Sequence, residues 1–82
     1  MLKRTIRIGE SVTITDTKTG ETEDLTLNDV TPSYVVINNK RRLPRHGYPI
    51  LGDGCYVPLE LNFKSVSLAF DAPAHILIKH NQ

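Results

Sequence analysis

The sequence has little of what builds catalytic centres, metal sites or secreted scaffolds. Cys55 is the only cysteine among 82 residues. An intramolecular disulfide is therefore impossible, and nothing favours an oxidising compartment. No apolar run approaches the ~18 residues of a membrane span. The basic start Met1-Leu2-Lys3-Arg4 is not followed by the apolar stretch of a signal peptide. The expected setting is the cytoplasm, with no membrane partner. Helical windows are lacking as well. Pro32, Pro44, Pro49, Pro58 and Pro73 are spread along the chain, and each interrupts a helix interior. There is no internal repeat and no low-complexity segment.

What is present is an ordinary folding composition, 39% hydrophobic and 23% charged, which argues against a disordered tail. The length allows one domain, residues 1–82. A chain this short buries only about 60% of its unfolded surface, so its core is marginal unless a second copy enlarges it.

Alternation with period two dominates and predicts an all-β chain of six to eight short strands in small twisted antiparallel sheets. Ile6 and Ile8 alternate with Thr5 and Arg7. Val12 with Ile14, Leu25 with Leu27, Val66 with Leu68 and Phe70, and Ile76 with Ile78 repeat the pattern. Val57, Leu59, Leu61 and Phe63 are expected on one inward face. Turns are expected at Gly9-Glu10, Thr17 to Gly20, Asn38-Asn39, Asn62 to Ser65, and Asp53-Gly54 as a two-residue hairpin. Pro58, inside an apparent strand, predicts an edge or a bulge. Residues 40–54 read as an exposed loop or loose hairpin.

The formal net charge of +1 conceals segregation. Lys3, Arg4 and Arg7 give residues 1–8 a charge of +3. Five acids against Lys18 leave residues 16–29 at −4, read as a solvated hairpin face. Lys40, Arg41, Arg42 and Arg45 give residues 40–46 a charge of +4. Four cations on an irregular segment could neutralise phosphates, with Tyr34 and Tyr48 placed to stack on bases; a plain solubilising loop has the same composition. On the first strand Lys3 and Arg7 share a face by parity, and Arg4 lies on the other or at the fraying start. Basic strand residues also serve as edge protection.

Other chemistry finds no support. Cys55 and His46 have no orienting third group, so no catalytic residue is assigned. His75 and His80 are expected on opposite faces of one strand and cannot easily chelate one ion. The glycines of residues 47–54 lack the ending of a phosphate loop. No metal and no cofactor is expected.

The two ends of the chain carry something more specific. Met1-Leu2, a basic strand, then Ile8-Gly9-Glu10-Ser11 and a second strand from Val12 resemble the opening of the carbon storage regulator (CsrA) family of bacterial RNA-binding proteins. Val66-Ser67-Leu68-Ala69-Phe70-Asp71-Ala72-Pro73, followed by His75 to His80, resembles its close. The likeness covers residues 1–15 and 66–80. It implies a CsrA-like intertwined homodimer in which the first and last strands of different subunits lie side by side. That edge would bind RNA hairpins exposing a GGA loop and regulate translation. By position, Arg4, Arg7, Ile76, Ile78, Lys79 and His80 fall in that surface. The chain departs from the family in three ways. Lys79-His80 stands where the family has His-Arg, so a fixed charge and a bidentate fork are absent. The chain stops at Gln82, where the family continues into a helix. An insertion falls within residues 31–65. The expected RNA-binding set is Lys3, Arg4, Arg7, Lys40, Arg41, Arg42, Arg45, Lys79 and His80. The alternative is a β-sheet module of the same fold that binds a protein partner and no RNA.

Overall fold

Alternating burial organises the chain into nine strands in the computed structural model, which describes residues 2–81. Met1, which starts the family-like opening, and Gln82, where the family's helix would follow, lie outside the described residues. The strands are β1 (Leu2–Arg7), β2 (Ser11–Asp16), β3 (Thr22–Val30), β4 (Val35–Ile37), β5 (Lys40–Arg42), β6 (Tyr48–Ile50), β7 (Gly54–Asn62), β8 (Ser65–Asp71) and β9 (Ile76–Asn81). A single 3-10 turn, Leu51–Asp53, joins β6 to β7. The fold is all-β, as the alternation predicts.

The strands form two antiparallel sheets, ordered β1-β8-β7-β6 and β5-β4-β3-β2-β9. Their inner faces close on one core. Ile6, Tyr56, Val66, Leu68 and Phe70 come from the first sheet, and Val12, Ile14, Leu25, Leu27, Val35, Ile37 and Ile76 from the second. All are buried. Removing this apolar surface from water is the main stabilising contribution, at roughly 1.5–3 kcal/mol for each large side chain fully buried.

Turn chemistry matches the residues that make it. Gly9 and Gly20 take positive φ (92° and 80°), and Asn38 and Asn39 (53° and 64°) close the β4–β5 hairpin. The Asn38 side chain ties that hairpin to β3, accepting the Thr26 N–H at 2.9 Å and donating to the Asp24 carbonyl at 2.9 Å.

Four expectations are corrected. Ile8 lies beyond β1 in the turn and is exposed rather than inward. The β6–β7 connection turns at Leu51–Asp53, with positive φ at Gly52 and Asp53, while Gly54 already pairs with Ile50. The basic run is not a loop throughout, because Lys40–Arg42 is strand β5. On β7 the inward residues are Tyr56 and Pro58, not Val57 and Leu59. A bulge between Pro58 and Glu60 then reverses the parity, so that Leu61 faces the core again. Pro58 is tolerated because β6 pairs with β7 only as far as Tyr56. Beyond that point the Pro58 carbonyl accepts the Arg45 N–H at 2.8 Å.

Candidate nucleic-acid interface

β1 and β9 are each the terminal strand of a different sheet, and each has one side with no strand partner among the described residues. β1 pairs only with β8, in the register Lys3↔Ala69, Thr5↔Ser67 and Arg7↔Ser65. β9 pairs only with β2, in the register Thr13↔Lys79 and Val12↔His80. Between the two edges lies a cavity of about 240 Å³, lined by Leu2, Phe70, Ala72, Pro73, Ile76 and Ile78 among others. Its lining is mixed: apolar side chains at the sheet edge share it with polar groups, Asp71 among them. Leu77, on the outer face of β9, is 57% exposed.

Strand parity fixes where the cations of these edges point. Ile6 is buried, so Lys3, Thr5 and Arg7 face outward and are exposed. Arg4 shares the inner parity of Leu2 and Ile6. It is half-buried at the rim, where Nη1 donates to the Lys3 carbonyl at 3.1 Å. On β9 Ile76 is buried, so Lys79 faces outward and is exposed, whereas His80 has inner parity and is half-buried. His80 Nε2 lies 3.1 Å from Glu10 Oε1. That oxygen also accepts the Arg7 N–H at 2.8 Å. The Arg7 N–H is the largest cause holding the Glu10 carboxyl below its usual range. Partial burial opposes it, and the hydrogen bond and charge of His80 and the charge of Arg7 add to it.

The basic run sits elsewhere. β5 is the opposite terminus of the sheet that ends in β9, four strand spacings or about 19 Å across the sheet. The nine expected RNA residues therefore divide into two groups that the fold does not bring together. Lys40, Arg41 and Arg45 are exposed. The guanidinium of Arg41 stands 4.6 Å from the centroid of Tyr34, and that of Arg42 stands 4.5 Å from the centroid of Tyr48. Each tyrosine expected to stack on a base thus already has an arginine on one face. Arg42 is half-buried, its Nε is enclosed without a hydrogen-bond partner, and it lies beside the buried Tyr56. Burial raises the Tyr56 phenol above its usual range, and the positive charge of Arg42 opposes the rise.

The acidic segment is only partly a solvated face. Asp16 is buried at 6% exposure and accepts the Lys18 N–H at 2.9 Å, because it ends β2 on an inner-parity position and closes the turn that follows. Asp24 accepts from the Thr13 hydroxyl at 2.7 Å. Glu23 accepts the Leu51 N–H at 3.3 Å.

Cys55 is half-buried with a free thiol. His46 is exposed, with Nδ1 3.1 Å from the Pro44 carbonyl. Among the described residues no group of three or more His, Cys, Asp or Glu is placed to hold a metal ion. No helix among them is long and apolar enough to cross a membrane.

Sequence reasoning missed one exposed feature. Phe63 was expected inward with Leu61, but it lies in the β7–β8 turn and is 89% exposed. The turn signal at Asn62 to Ser65 was legible. Phe63 shares the parity of Leu61 but falls past the end of β7 at Asn62, in the turn, where strand parity no longer sets the face.

Comparison of the chain with protein-family models, with curated proteins and with solved structures finds no match.

Proposed function

We propose that this chain is a non-enzymatic, cytoplasmic RNA-binding regulator of bacterial type, acting after transcription as a homodimer through its β1 and β9 edges. The observation that carries the reading is the pairing of two features at the same edges. β1 and β9 each have one side with no strand partner among the described residues, although on β1 the Arg7 N–H is engaged by Glu10 and the Lys3 carbonyl by Arg4. Both strands carry outward cations, namely Lys3 and Arg7 on one and Lys79 on the other. Unpaired strand edges can join a second copy, and outward cations beside them can hold phosphate while bases meet the edge. Arg4 at the rim adds a fourth positive charge. The resemblance of residues 1–15 and 66–80 to the carbon storage regulator family supports the same assignment. His80 contributes less than the family's arginine would, because it is directed at Glu10.

The test is a salt titration of binding to an RNA hairpin with a GGA loop, beside a loop-scrambled control. Four phosphate contacts give a slope of log K against log salt near −3, at about 0.7 per contact on single strands. Preference for the GGA loop with such a slope is the expected result. Equal binding of both RNAs, or none at low salt, contradicts the reading.

One observation favours a second reading, a protein-interaction module. The cavity between β1 and β9 exposes Leu2, Ile76 and Ile78 beside strand sides that have no partner strand among the described residues, and an added strand from another protein would cover them. Absence of RNA binding together with a strand-like peptide protecting β1 or β9 amides from exchange would select this reading.

A further inference from the structure

The β7–β8 hairpin closes with Phe63 and Lys64, the latter at φ 63°. Two-residue hairpin turns favour Asn or Gly at such a position, so a lysine there carries a conformational cost that its hydrogen bonds do not explain. The tip is nevertheless held, because the Lys64 carbonyl accepts the Ile8 N–H at 3.0 Å and ties the hairpin to the end of β1. Phe63 is 89% exposed and forms a wall of two neighbouring cavities. One, of about 380 Å³, is lined by Arg7, Ile8, Phe63, Lys64 and Ser65 and contains no acid. The other, of about 260 Å³, is lined by Val30, Thr31, Pro32, Leu61, Asn62 and Phe63. Lys64 Nζ stands 5.1 Å from the ring centroid, over one face.

We propose that Phe63 is a stacking platform for one unpaired base of single-stranded RNA, with Lys64 and Arg7 holding the adjoining phosphates. The proposal rests on the RNA reading above and extends that surface from the outer face of β1 to the hairpin tip, through the shared Arg7. Charge complementarity selects the occupant. An exposed ring with Lys64 over one face and Arg7 lining the same cavity, with no carboxylate in that cavity, suits a planar base on a polyanion. Insertion into a membrane fits less well, because the turn offers one aromatic ring and its second residue is charged.

The chain contains no tryptophan, so Phe63→Trp installs a single reporter that keeps an aromatic face. Emission of F63W is expected to be quenched on saturation with the GGA-loop hairpin, with affinity within about twofold of wild type. Phe63→Ala is expected to weaken binding about tenfold, within the range measured for loss of one stacked base. Lys64→Ala is expected to flatten the salt slope by about 0.7. The turn is exposed, so circular dichroism of F63A is expected to match wild type. Wild-type binding retained by F63A, or F63W emission unchanged by RNA but shifted to the blue by vesicles of anionic lipid, overturns the platform alone. A wild-type protein that binds no RNA overturns the RNA reading and the platform with it.

Discussion

His80 Nε2 and Glu10 Oε1 meet at 3.1 Å, joining the last strand to the turn that follows the first. The same carboxylate oxygen receives the Arg7 N–H. At the position where the resemblance places an RNA-contacting arginine, this chain therefore has a side chain engaged with an acid of its own. Under the proposed RNA reading, phosphate would be held by the outward residues Lys3, Arg7 and Lys79.

Glu10 makes part of the stability depend on pH in a known direction. Its carboxyl is held below the usual 4.5, chiefly by the Arg7 N–H and further by His80. A group depressed in the folded state stabilises fully above its unfolded pKa and loses that contribution as pH falls through the lower folded value. The melting temperature is expected to fall below pH 4.5 in wild type and to fall less in Glu10→Gln. Carboxyl titration by NMR is expected to place the Glu10 midpoint under 4.5, and a midpoint at or above 4.5 contradicts the geometry.

Gly52 controls the seat of β9. Its φ is +75°, and a Cβ there would collide with the Ile76 side chain and press on Asp16 Oδ2 at 3.3 Å. Gly52→Ala is expected to cost about 2–4 kcal/mol in urea unfolding, from backbone strain and overpacking together. Gly47, with open space around it and no positive φ, is the control. Gly47→Ala is expected to change stability by no more than about 0.5 kcal/mol.

The open edges predict self-association. Leu2, Ile76 and Ile78 are among the residues that line a cavity between β1 and β9, with Leu77 exposed on the neighbouring face. Sedimentation velocity is expected to give a dimer at micromolar concentration, and a strict monomer there contradicts pairing through these strands.

The sequence made some of this legible and hid the rest for physical reasons. Alternation found the inward faces of β2 and β3, because Val12 and Ile14, and Leu25 and Leu27, are the buried residues of their strands' apolar faces. It found Val66, Leu68 and Phe70 on β8, although that central strand buries Ser67 and Ala69 on its other face as well. It misplaced Val57 and Leu59, since parity counts residues and a bulge adds one. Strand β5 was hidden because Lys40, Arg41 and Arg42 show no apolar side, and an edge strand beside a turn at Asn38-Asn39 needs none. Above all, parity assigns a face but not a neighbour. Nothing in the period of β1 or β9 says that each ends a different sheet, or that residues 40–45 lie at the far edge from Lys79. Charge type alone therefore marks the cations at both ends of the chain and in the basic run, while their division into two surfaces required the strand order.

The central claim is that RNA is held by the outward cations of β1 and β9. The most direct measurement is hairpin affinity across a salt series for wild type, for the triple variant Lys3→Ala, Arg7→Ala, Lys79→Ala, and for Lys40→Ala, Arg41→Ala, Arg45→Ala. Loss of three phosphate contacts is expected to flatten the salt slope of the first variant by about 2 and to weaken binding. The second variant is expected to keep the wild-type slope. The reverse pattern, with the slope lost only when Lys40, Arg41 and Arg45 are removed, would contradict the claim.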